Sequence, residues 1–253
     1  MNPRYEYRAL LACDIAGSAG RGQQRLQEIR GVLRSALSGA CGVADLDLRE
    51  FAYTDTGDGC RLVAPAGLPK ARLLLPLLPE LSERIREHNR HAVPGTQLRV
   101  RAAVHAGEVR LDPEGTVSGT PFETLARLLD SAPLRNAALA GPDGTPVAAV
   151  LSQHVYEETV GHGYEGLESG AFTAAEVRVK EYAAPAWLWY PGSPVGPRGD
   201  AGTVDAGAGE SGSGEPPAEP GARTVEQRVQ ATGNGTVFAV GRGDQHIRYN
   251  DWS

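Results

Sequence analysis

The sequence predicts an α+β domain, a mainly antiparallel sheet with helices packed on one face, followed by a disordered linker and a short hairpin-like tail. Three observations carry this. Strand-like and helix-like apolar patterns succeed one another in the order β-α-β-β-α-β-β-α-β-α-β-β, with short connections. Leu, Val and Ile concentrate before residue 192. From 192 to 223, Gly, Pro, Ser and Ala alternate with acidic residues, and large apolar side chains almost vanish.

Tyr5 to Ile15 reads as a buried strand ending in Cys13-Asp14-Ile15-Ala16-Gly17. Leu26, Ile29, Leu33 and Leu37 recur at helical spacing and predict a helix over 21–40. Two short strands, 50–54 and 59–64, are joined by Thr56-Gly57-Asp58-Gly59, a common hairpin connection. A second helix is expected from Pro69 through His88, kinked by Pro76 and Pro79. Leu98 to His105 alternates, with Leu98, Val100, Ala102 and Val104 facing one way and Arg99 and Arg101 the other. Gly107 is expected to turn the chain into Glu108–Leu111. Helices follow at 121–130 and from Leu134, then a strand at 147–152, a helix at 154–160 and a strand pair at 177–180 and 186–190.

The domain therefore spans 1–191 and the linker 192–223, whose composition buries too little surface to offset its ordering entropy. The tail, 224–253, contains one strand-like segment, Gly235 to Val240, and a turn leading to His246–Tyr249. So short a hairpin is not stable alone, so it is expected to order against a partner, adding a strand to an effector protein's sheet.

The formal net charge is −6, and no basic stripe marks a nucleic-acid surface. Three cysteines, Cys13, Cys41 and Cys60, form no CxxC pair, which favours a reducing, cytoplasmic setting. The longest apolar run, Leu73–Leu78, is short and broken by Pro76, so no membrane span is expected. No basic region followed by an apolar run opens the chain.

The chemistry concentrates in two carboxylates. Asp14 closes the first strand, and Asp58 sits in the Gly57-Asp58-Gly59 turn. If these strands are neighbours, the carboxylates converge at the sheet's rim, where two oxygen ligands with an open side suit Mg²⁺ or Mn²⁺. Taken singly, Asp58 is an ordinary turn former and Asp14 a strand-end cap. His105, at a strand end, reads as structural, and His154 and His162 lack ligand spacing. Cys13 and Cys60 flank the aspartates and read as buried thiols that approach each other. Trp187 and Trp189 read as core packing or edge cover, and Arg242-Gly243-Asp244 as a turn.

Over residues 5–190 the chain resembles the class III nucleotidyl cyclases. Leu10–Ser18 is similar to that family's first metal-binding strand, and Tyr53–Gly59 to the segment with its second metal aspartate. Arg99–Val109 is similar to its central strand pair, with the His-x-Gly-x-Val ending at His105, and Val117–Leu129 to the helix bearing transition-state residues. The resemblance implies a ferredoxin-like cyclase homology domain and a head-to-tail homodimer with active sites at its interface. It implies a two-metal site of Mg²⁺ or Mn²⁺ on Asp14 and Asp58, with Gly57 shaping the loop, and a nucleoside triphosphate as ligand or substrate. Arg127 would stabilise charge at the phosphorus, and Lys180 would hold the terminal phosphates.

Three positions depart from the pattern. Glu123 stands where the family has Asn, one helical turn before Arg127, and places like charge beside a triphosphate. Thr54 and Thr116 stand where adenylyl cyclases carry the Lys and Asp that read the base. The resemblance thus implies a divergent nucleotide- and metal-binding signalling protein, a sensor or adaptor with reduced or no cyclase activity. The alternative is an active cyclase forming a 3′,5′-cyclic nucleotide and pyrophosphate.

Overall fold

β1 (Arg4–Ile15) carries the run Leu10-Leu11-Ala12-Cys13, which has no polar face, and a strand of that kind needs cover on both sides. The structure, a computed structural model, describes residues 3–197 apart from 19, 94 and 143, all within the unit Met1–Val204. The predicted linker from residue 198 and the whole tail lie outside the described residues. β1 lies inside a sheet of eight strands ordered β2-β3-β1-β4-β6-β8-β7, with β5 appended to β4. The others are β2 (Ala52–Asp55), β3 (Gly59–Val63), β4 (Val100–Leu111), β5 (Val117–Ser118), β6 (Val147–Ser152), β7 (Phe172–Val179) and β8 (Tyr182–Trp189). Every ladder is antiparallel except β4–β6.

The expected α+β class and mainly antiparallel sheet stand, but helices cover both faces rather than one. Ala9, Leu11, Cys13 and Ile15 pack with Ile29, Leu33 and Leu37 of α1 (Gln23–Val43) and Leu77, Leu81 and Ile85 of α3 (Leu77–His91). Leu10 and Ala12 point the other way, onto Leu125 and Leu128 of α4 (Thr120–Leu129) and Leu134 of α5 (Ala132–Ala140). Leu125 and Leu128 are fully buried, which contributes about 2 kcal/mol for each side chain. The same alternation repeats on β4, where Val100, Ala102 and Val104 face α1 and α3 while Ala103 and Val109 face α4.

Two local differences from the sequence reading have physical causes. The helix expected from Pro69 to His88 is split by Pro76 into α2 (Ala71–Leu74) and α3, whose first turn accommodates Pro79. Gly107 does not turn the chain: β4 continues through it to Leu111, and the hairpin turn follows at 112–116. Glycine is needed at 107 because a Cβ there would stand 2.7 Å from Pro121 Cγ, so α4 sits directly on the strand.

Trp187 stacks on Tyr156 at 3.6 Å between ring centroids, and with Trp189 belongs to the core. Tyr156 follows β6 on the short helix α6 (Gln153–Glu157). The first residues assigned to the linker, 192–197, turn back along the start of β7, where Thr173 Oγ1 donates to Pro197 O at 2.6 Å. Among the described residues no helix is long and apolar enough to cross a membrane.

Candidate functional site

The two carboxylates meet because β1 and β3 are direct neighbours. Asp14 pairs with Gly59, and the turn carrying Asp58 is tied down where Ile15 N donates to Asp58 O at 3.0 Å. Gly59 is required there, since a Cβ would overlap the carbonyl oxygen of Cys13. Gly57 takes φ +95°, and its N–H donates to Asp55 Oδ1 at 2.7 Å, closing the turn. Ser18, on the loop after β1, donates its hydroxyl to Asp58 Oδ2 at 2.6 Å.

Asp14 is only 8% exposed and forms an ion pair through Oδ2 with Arg101, its cross-strand partner on β4. Burial raises the Asp14 carboxyl above its ordinary value; Arg101 pulls it back in part, and the adjacent Asp58 pushes it up again. Burial also acts on Asp58, but the Ser18 hydroxyl, its own backbone N–H, Asp14 and Arg30 together hold it below the usual carboxylate range. A cleft of about 150 Å³ opens beside Asp58, lined also by Arg30, Arg34, Tyr53, Asp55 and Cys60.

Two touching carboxylates with hard oxygen donors suit Mg²⁺ or Mn²⁺, whose charge would relieve their repulsion. Arg101 takes one Asp14 oxygen, and among the described residues no three His, Cys, Asp or Glu side chains form a metal cluster. Protein side chains thus offer a cation two carboxylates, and the remaining ligands would come from water or phosphate.

The other site residues divide between the two ends of the sheet. Thr54, on the edge strand β2, pairs with Arg61, which pairs with Ala12, so it lies near the aspartates. Thr116 lies beyond β5, where Leu111 pairs with Arg4 at the opposite end of β1. Lys180 occupies the β7–β8 turn with φ +54°. By ladder register Tyr182, just after that turn, is level with Val109, roughly 25 Å along the strands from Arg101. Arg127 of α4 reaches toward this far end, with Nη2 3.0 Å from Glu181 Oε1. Arg127 and Lys180 both help hold the Glu181 carboxyl below its usual value, after the larger effect of its own backbone N–H. Glu123 is exposed, one turn before Arg127.

Sequence reasoning missed Arg101, Ser18 and Glu181 as members of these groups. Arg101 reads in the sequence as part of a polar strand face with Arg99, and its partner follows only from the register. His105 is structural as expected: its Nδ1 lies 2.9 Å from Ser152 Oγ, and burial holds the ring down to about 4. Cys13 and Cys60 do approach, as directly opposed residues of β1 and β3.

No protein-family model matches the sequence, and no curated protein matches it in sequence. Solved structures match in fold. An adenylate/guanylate cyclase/hydrolase from Silicibacter pomeroyi is 21% identical with a TM-score of 0.53, over 75% of this chain and 99% of that one. The guanylyl cyclase Cya2 is 15% identical with a TM-score of 0.52, over 75% of this chain and 93% of its own. A bacterial light-regulated adenylyl cyclase is 11% identical with a TM-score of 0.52, over 74% of this chain and 52% of that one. At these identities the likeness is one of architecture: the described residues have the fold of the class III nucleotidyl cyclase homology domain.

Proposed function

We propose that the protein is a cyclase-fold signalling protein that binds a nucleoside triphosphate and a divalent cation between two head-to-tail copies, with reduced or no cyclase activity. The observation that carries this reading is the buried ion pair of Arg101 with Asp14, which already balances the carboxylate a cation would use. Breaking such a pair costs several kcal/mol, so cation capture at Asp14 competes with a partner built into the sheet. The far end supports the same reading, because Arg127 is engaged by Glu181 and Glu123 adds a second carboxylate on its helix.

Pairing of two copies is supported by the separation of the half-sites. Asp14, Asp58 and Thr54 lie toward one end of the sheet, and Thr116, Lys180 and the Arg127–Glu181 pair toward the other. An antiparallel arrangement of two chains sets one end of each beside the other end of its partner. In that setting Asp58, Asp14 and the Gly57 loop face the phosphates from one copy, while Arg127 and Lys180 hold phosphate oxygens from the other. Thr54 and Thr116 offer hydroxyls to a base. A bound divalent cation would neutralise phosphate charge and acidify the ribose hydroxyl.

The alternative, an active cyclase, is favoured by the contact of Asp14 with Asp58, which sets two carboxylates side by side where a cation can bridge them. Incubation of the full chain with each of the four nucleoside triphosphates and Mn²⁺ separates the readings. Saturable nucleotide binding without cyclic product is the expected result. Cyclic nucleotide and pyrophosphate that vanish in Asp14→Ala and Asp58→Ala would establish the active cyclase, and absence of both binding and product would exclude either reading. The tail, in this reading, recruits an effector; removing residues 198–253 leaves the fold intact and abolishes that capture.

A further inference from the structure

The chain has three cysteines in 253 residues, and the fold gathers all three in the core under the carboxylate end of the sheet. Cys13 immediately precedes Asp14, and Cys60 follows Asp58 by two positions. The two lie directly opposite each other on β1 and β3, with both side chains on the α1–α3 face. Cys41 of α1 completes the group.

We propose that Cys13 and Cys60 form a reversible disulfide on exposure to a hydroperoxide, a covalent joint between β1 and β3 beneath the two aspartates. The register supports this. Ile15 N to Asp58 O and Ala64 N to Ala9 O identify odd-numbered β1 residues as the hydrogen-bonded positions of the ladder. Opposed Cα atoms at such positions stand about 5.5 Å apart, inside the range of roughly 4.4–6.8 Å that a disulfide spans. Access is supported by the cleft of about 150 Å³ lined by Cys60, which exceeds the space a peroxide molecule needs. The same cleft does not include Cys13 or Cys41.

That asymmetry sets the order of events. Cys60 sulfur attacks one peroxide oxygen, the O–O bond breaks, and water leaves with the thiol proton, giving a sulfenic acid. Cys13 sulfur then attacks Cys60 sulfur, the S–O bond breaks, and a second water departs. Two thiols are oxidised and one peroxide is reduced to two waters, so no further reductant or oxidant is required. Cys41 is held up at about 11 by burial and stays a thiol.

The test uses the full chain, reduced, desalted and treated with hydrogen peroxide. Free thiols titrated after denaturation fall from the three of the sequence to one per chain, and peptide mapping finds the Cys13 and Cys60 peptides linked. Dithiothreitol restores the original count. Cys41→Ala still forms the link, and Cys13→Ala leaves a Cys60 sulfenic acid that dimedone traps. Retention of all three thiols, a link through Cys41, or a link between two chains overturns the proposal, even if Cys13→Ala fails to fold.

Discussion

The two ends of the sheet each carry an arginine–carboxylate pair, and the pairs differ in setting. At one end Arg101 and Asp14 are cross-strand neighbours, with side chains 16% and 12% exposed. At the other, Arg127 on a helix meets Glu181 in a hairpin turn, and the Glu181 side chain is 78% exposed. The first pair is built into the ladder and shielded from water; the second opens to water through Glu181, while the Arg127 side chain is 26% exposed. Coulomb attraction is screened in the second case and must offset desolvation in the first. The same chemical pair is therefore part of the architecture at one end and a readily opened contact at the other.

The largest expected effect is at the buried end. Arg101→Met strands the Asp14 carboxylate in the interior and is expected to cost about 3 kcal/mol in urea unfolding. Adding Asp14→Asn returns much of that loss, because the uncompensated charge is gone. A single-variant loss under about 1 kcal/mol would erase the contrast between the two ends.

An intermediate effect comes from the strand between them. His105 is held at about 4, below its ordinary 6.5, chiefly by burial and less by His154, so the folded state favours the neutral ring. Its contribution is complete above about pH 6.5 and is lost as pH falls toward 4, on the order of 2 kcal/mol. Urea midpoints at pH 7 and pH 4.5 for the native chain and His105→Gln measure this, and the variant should show a shallower decline. Asp14, whose carboxyl is raised by burial, works in the opposite sense: it favours the fold at low pH, an effect that fades as pH rises.

The smallest effect is at the exposed end. Arg127→Ala and Glu181→Gln should leave the unfolding midpoint unchanged, as water and salt already screen that pair. A shift comparable with that of Arg101→Met would mean that the far pair also holds the fold together.

Much of this organisation was legible in the chain itself. Leu10 to Ile15 announced a buried strand, and the Gly57-Asp58-Gly59 turn announced the hairpin that brings a second carboxylate to it. The second helical layer was legible in principle, since a run apolar at consecutive positions has no face left for water. Gly107 misled because glycine serves turns and close approaches alike, and only the position of Pro121 separates them. Arg101 and Asp14 are 87 residues apart, so their pairing is a property of register rather than of any local pattern. The same holds for Arg127 and Glu181, joined only when α4 crosses the sheet toward the last hairpin.

The wide spacing of the half-sites along the strands has a kinetic consequence. Under the proposed function, no chain on its own assembles a complete pocket, so occupancy depends on encounters between molecules. Ligand capture then rises more steeply than linearly with protein abundance while monomers predominate. Dilution would silence it without unfolding a single molecule.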